Sequence, residues 1–225
     1  MIPRSPLVLL AGMMCDGRLF KHMPHHIYLP ITGHHTIEAI ATDVLQNAPE
    51  TFALGGLSMG GIVAMEVIRQ APDRVTRLAL MDTNCEAEND RVKASRGPQI
   101  ERALANGLQN VMRDEMKPNY LANGPNKPEV LDLCMDMAMS LGPDVFAAQS
   151  RALRDRQDQK KTLKNWHKPT LILCGEDDRL CPLHRHTLMV ELISLAKLTV
   201  VLSAGHLPPL ERPEITRTAI EDWLH

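Results

Sequence analysis

The chain lacks any apolar run long enough to cross a bilayer as a helix, which takes about 20 residues, and it lacks a basic stripe. With 25 Lys and Arg against 27 Asp and Glu, its formal charge is −2. Neither nucleic acid nor an anionic membrane surface is expected as a partner. A cysteine framework is missing as well. Cys15, Cys85, Cys134, Cys174 and Cys181 are odd in number and irregularly spaced, so free thiols in a reducing compartment are the simplest reading. A Cys174–Cys181 disulfide stays open as the alternative. Arg4 followed by the apolar run 6–11 has the look of a short leader, but Met13 and Met14 ahead of Cys15 are too bulky for a small-residue cleavage site. A buried first strand and, by default, a cytoplasmic location are expected. Repeats and low-complexity tracts are absent.

What is present is an alternation of two periodicities. Short continuous apolar runs at 7–11, 26–31, 51–57, 75–81, 170–174 and 198–202 suit strands buried on both faces, as in a mostly parallel sheet with helices on either side. Helical spacing fills 36–46, 61–70, 188–196 and 214–224; Pro72 blocks the second of these and Pro213 suits the first turn of the last. Residues 86–166 differ. They are polar, carry helical periodicity at 99–116, 128–140 and 143–154, and contain no strand-like run. The expectation is a single α/β domain over 1–225 with 86–166 as a helical insertion above the carboxyl edge of the sheet.

Gly56-Leu57-Ser58-Met59-Gly60 joins a strand-like run to a helix-like one. A serine between two glycines at such a turn is the nucleophile-elbow pattern: the turn is so tight that its flanks must lack bulk, and the hydroxyl is presented at the sheet edge. A serine hydroxyl needs a base to take its proton, a carboxylate to hold that base in one tautomer, and donors for the developing oxyanion. Past the 170–174 strand, Glu176, Asp177 and Asp178 compete for the acid, with Asp82 after the preceding strand as a fourth candidate; Asp178 is favoured. Past the next strand, Gly205 turns the chain at His206, the candidate base. The backbone N–H groups of Met13, after the first strand, and Met59, after the serine, are the candidate oxyanion donors.

These segments together, Ala11-Gly12-Met13, Gly56 to Gly61, Gly175 to Asp178 and Gly205-His206, make the chain resemble the α/β-hydrolase-fold superfamily over essentially its whole length. It is most similar to small esterase and lactonase members with a helical cap, and Met14-Cys15-Asp16, residues 71–75 and Leu210 to Pro213 resemble a bacterial subgroup. The resemblance implies Ser58, Asp178 and His206 as catalytic triad, no cofactor and no metal. It also implies an eight-stranded ancestral sheet whose amino-terminal hairpin is missing, because the first strand here corresponds to the family's third. The helix that joins the first two strands has room only for a turn at 19–23, and Ala11 stands where the family has histidine. The expected activity is hydrolysis of a small carboxylic ester, lactone or thioester through an acyl-enzyme on Ser58. The alternatives are C–C hydrolysis, lyase or haloperoxidase-like chemistry with the same residues, or ligand binding without catalysis. A sheet edge left bare by the missing hairpin is a possible pairing surface between subunits.

Other candidates have plainer readings. His184 and His186 near Cys181 suggest zinc, against a solvated helix start. His34 and His35 lie on a loop near the expected active edge. Met135 and Met139 share a helix face, which favours core packing over an adaptable apolar ceiling to the pocket. Gln149, Arg151 and Arg154 are in range of a substrate carboxylate or form a solvated face.

Overall fold

The computed structural model describes residues 5–225; Arg4 lies outside them. Six strands form one sheet in the order β2-β1-β3-β4-β5-β6: β1 (Leu7–Leu10), β2 (Ile27–Tyr28), β3 (Phe52–Leu57), β4 (Val75–Met81), β5 (Thr170–Gly175) and β6 (Ala196–Val201). All five pairings are parallel. Every residue of β1, β3 and β5 is buried, as a parallel sheet covered on both faces requires. Side chains alternate between two cores. Val8, Leu10, Phe52 and Leu54 meet Ile40, Val44, Val63 and Val67 on one face. Leu7, Leu9, Ala53 and Leu57 meet Leu19, Phe20, Ile220 and Trp223 on the other.

The covering helices explain that division. α1 (Ile37–Asn47) starts where the Thr36 hydroxyl accepts the Ala39 N–H at 3.2 Å, a cap that satisfies an otherwise orphaned donor. It packs on α2 (Met59–Gln70), whose residues 59–68 are all buried. α3 (Asp90–Arg102) is capped by Asn89 and runs into a wide turn, Ala103–Gly107, that breaks helical geometry at Ala105 and Asn106; α4 (Leu108–Val111) and a second wide turn, Met112–Met116, follow. α5 (Lys127–Arg154) is interrupted at Gly142, where φ is 83°, matching the expected pair of segments 128–140 and 143–154. α6 (Lys160–Lys164) leads into β5. α7 (Leu183–Leu192), α8 (Pro208–Glu211) and α9 (Pro213–Leu224) complete the chain. Between β4 and β5 the described structure consists of helices and the loops that join them, with no strand.

Three expectations need correction. The helix placed at 188–196 runs over Leu183–Leu192, because Pro182 starts it and Ala196 pairs with Thr170 as the first residue of β6. The helix placed at 99–116 begins at Asp90. The Asn89 cap sets the helix there, and Pro98 is carried inside it. Met137 and Met112 are the buried methionines of this segment, Met139 is 46% exposed, and Met116 lines a cavity. All five cysteines are free and buried, so Cys174 and Cys181 form no disulfide. Among the described residues no helix is long and apolar enough to cross a membrane.

Leu54 is fully buried at the centre of β3. Its replacement by alanine is expected to lower the unfolding free energy in urea by about 2–5 kcal/mol; a loss under about 1 kcal/mol would show that this face is loosely packed.

Candidate active site

The strand order reverses between β1 and β3: the chain leaves β1 towards β2 and leaves β3 towards β4. The loops after these two strands therefore part, opening a crevice at the carboxyl ends, the usual ligand position in open α/β sheets. Ser58 stands there, between β3 and α2, with φ 54° and ψ −116°. A non-glycine residue holds this conformation only when its surroundings enforce it. Here they do. Ser58 N–H donates to Met81 O at 2.9 Å, and the Thr83 hydroxyl donates to Ser58 O at 2.8 Å. A methyl on Gly56 would overlap the Gly60 carbonyl, and one on Gly60 would overlap that of Leu10. The two glycines are thus required by close approach of backbone to backbone.

Asp178, Ser58 and His206 come together although they are far apart in sequence. His206 Nε2 lies 2.9 Å from Ser58 Oγ, and its Nδ1 lies 2.8 Å from Asp178 Oδ2. Asp178 Oδ1 accepts the N–H groups of Leu180 and Cys181 at 2.8 and 3.0 Å. Burial pushes the Asp178 carboxyl up, but His206 and these two amides outweigh it and hold it below the ordinary carboxylate value. The competing acids do other things. Glu176 and Asp177 are exposed. Asp82 is fully buried, accepts Gly175 N–H at 2.8 Å through Oδ1, and has no partner for Oδ2; burial, then the neighbouring Asp178, push it well up.

The loop carrying His206 is fastened by a residue that sequence reasoning missed. Glu211, 5% exposed, accepts the N–H groups of Gly205, Leu207 and Ala122 at 2.9, 3.0 and 2.9 Å. It ties that loop to the chain leading into α5. Its signal was present, a glutamate closing a short proline-started helix just after the histidine, but nothing in its spacing marked it as a receiver of three amides.

Gly12 abuts the serine: a methyl there would sit 3.3 Å from Ser58 Cβ. Met13 and Met59 line the same cavity as Ser58 and His206. The Met13 amide has no acceptor among the described residues, and the Met59 amide, first in α2, has none within its helix. The cavity measures about 340 Å³, within the range of small-molecule sites. Arg96, Gln99, Met116, Tyr120 and Arg156, between β4 and β5, supply part of its remaining wall, and Leu180, Cys181 and Arg185, after β5, supply another.

The remaining candidates resolve differently. Gln149 is fully buried, accepting Met14 N–H at 2.9 Å and donating to Ile31 O at 3.2 Å. Arg154 pairs with Asp155 at the surface, and neither Arg151, His34 nor His35 lines the cavity. Instead Arg96, Arg156 and Arg185 do. His184 is exposed, whereas His186 is buried rather than solvated, and its Nε2 accepts Thr83 N–H at 3.2 Å. The one group of metal-ligand type among the described residues is Asp178, Cys181 and His206, in which acid and imidazole are spent on each other.

The family model described as alpha/beta hydrolase family matches residues 7–219. Among curated relatives, a pimeloyl-acyl-carrier-protein methyl ester esterase of Aromatoleum aromaticum is 25% identical over 89% of this chain and 84% of its own length. An esterase from Thermogutta terrifontis, solved with malate bound, superposes with a TM-score of 0.87 at 29% identity, covering 98% of this chain and 89% of that one. An enol-lactonase from Burkholderia xenovorans shares the fold, with a TM-score of 0.85 at 20% identity over 98% of this chain and 91% of that one.

Burial pulls the His186 pKa down to about 4. The unfolded chain, with histidine near 6.5, binds that proton more readily, so stability is expected to fall as pH drops from about 6.5 to 4, by up to about 3 kcal/mol from this residue. Glutamine at 186 keeps an acceptor for Thr83 without titrating. Urea unfolding at pH 7 and 4 is expected to show a smaller acid loss in His186→Gln than in the wild type; equal losses would contradict the assignment.

Proposed function

Because this chain belongs to the alpha/beta hydrolase family, we propose that it is a serine-dependent hydrolase of a small carboxylic ester, lactone or thioester. One observation carries the reading: an unbroken line of hydrogen bonds from Asp178 through His206 to Ser58, ending at the wall of a small cavity. Relatives named as esterases support it.

The chemistry follows from the geometry. With Asp178 accepting at Nδ1, the imidazole carries its proton there and offers Nε2 as base to the Ser58 hydroxyl. As Ser58 Oγ bonds to the substrate carbonyl carbon, its proton passes to Nε2 and the carbonyl electron pair moves onto oxygen. The Met13 and Met59 amides receive that oxyanion. The C–O or C–S bond to the leaving group then breaks, His206 returns the proton to it, and an acyl-serine remains. Water, deprotonated by the same nitrogen, attacks the acyl carbon; the bond from that carbon to Oγ breaks, His206 returns the proton to Ser58 Oγ, and the carboxylic acid leaves. No cofactor is used in this scheme. Residues 86–166 act as a cap that closes the cavity opposite the serine.

Ser58→Ala is expected to lower kcat on 4-nitrophenyl acetate by at least about 10⁴-fold while circular dichroism stays native-like, and Ser58→Ala/His206→Ala is expected to be no worse than either change alone. Unaltered turnover in Ser58→Ala would overturn the reading.

A further inference from the structure

The cavity wall is unbalanced in charge. Three guanidinium groups line it, those of Arg96, Arg156 and Arg185, against a single carboxylate, Glu88. Arg185 is matched by Glu86 outside the cavity. Arg96 and Arg156 share Glu88. Arg96 Nε and Nη2 lie 3.2 and 2.6 Å from its two oxygens, and Arg156 Nη1 lies 2.8 Å from Oε1. The side chains are 11%, 8% and 4% exposed for Arg96, Arg156 and Glu88. Two largely buried cations thus meet one buried anion. A buried charge without a partner is costly, and such groups are normally paired.

Both guanidinium groups keep a spare amino group: Arg156 Nη2 has no acceptor among the described residues, and Arg96 Nη1 has only a weak one. Arg156 also donates to the Glu86 and Leu153 carbonyls at 3.0 and 3.1 Å. Arg96 Nη1 is met, among the described residues, only by the Met13 sulfur at 3.7 Å, a weak acceptor. That sulfur belongs to the residue after Gly12, which abuts Ser58, and Arg96, Met13 and Ser58 line the one cavity.

We propose that the substrate carries a carboxylate, received by the Arg96 guanidinium beside Arg156 while its ester group lies at Ser58. This inference rests on the hydrolase reading above. A guanidinium N–H gives a carboxylate a charge-assisted hydrogen bond, and such a group would complete a two-cation, two-anion set with Glu88. Removing Arg96 leaves Glu88 and Arg156 as a balanced pair, so the test need not strand a buried charge.

The test compares pairs of esters that differ in whether a carboxylate or its neutral amide is present. For a carboxylate on the acyl side, monomethyl glutarate is set against methyl 4-carbamoylbutanoate. For one on the alcohol side, 4-acetoxybenzoate is set against 4-acetoxybenzamide. In the wild type, kcat/KM for the carboxylate member of at least one pair is expected to exceed that of its amide by at least about tenfold, the scale of one charge-assisted hydrogen bond. In Arg96→Met that ratio is expected to collapse towards one. Should the variant not fold, the wild type decides alone: glutarate is expected to inhibit competitively at a concentration at least about tenfold below glutaramide. Ser58-dependent turnover of the amides with ratios at or below one in both pairs would overturn the carboxylate inference and leave the hydrolase reading standing. Absence of turnover of all four esters and of 4-nitrophenyl acetate would overturn both.

Discussion

A carboxylate taken out of water must be met by donors, and the Asp178 carboxylate is the point on which this site turns. Leu180 and Cys181 amides take one of its oxygens, and His206 takes the other. The desolvation penalty is offset only while all three are in place, so the acid, its loop and the imidazole hold one geometry. That geometry fixes the tautomer and turns the remaining ring nitrogen to Ser58. Directly behind, Asp82 shares the buried region without being drawn into the same line, accepting Gly175 N–H instead.

The rest of the fold serves to bring these groups to one edge. Parallel strands place their carboxyl ends together, and the reversal in strand order leaves room there. The serine turn is held from below by Gly56 and Gly60, which let backbone meet backbone, and from the side by Thr83, itself fixed by His186. Glu211 does for the His206 loop what the amides do for Asp178, in reverse: one buried carboxylate gathers three N–H groups from two parts of the chain. Because one of these, Ala122, leads into α5, the helical segment over the cavity is fastened to the loop that carries the imidazole.

Much of this was legible in the sequence, for reasons tied to particular residues. Ser58 announced itself because a strained turn leaves a glycine pattern. The strands were legible because burial on both faces leaves continuous apolar runs. Asp178 and His206 were legible because each follows such a run. What sequence hid was of another kind. Glu211, His186 and Gln149 each meet at least one backbone amide distant in the chain, those of Ala122, Thr83 and Met14, and no local pattern reports which amide a buried side chain will meet. Arg96 and Arg156 looked like ordinary charges of a polar helical stretch, while Arg151 and Arg154 seemed better placed. Only the packing of α3 and α5 decides which guanidinium turns inward. The start of α7 was missed because Pro182 reads equally well as a loop residue and as a helix opening.

The central claim is that this arrangement makes one hydroxyl, that of Ser58, an exceptional nucleophile. Incubation with a fluorophosphonate, followed by intact mass and peptide mapping, tests it most directly. The account predicts a single adduct per chain, located on Ser58 and lost when His206 is replaced by alanine. An adduct on another residue, or no adduct from a preparation that still hydrolyses esters, would contradict it.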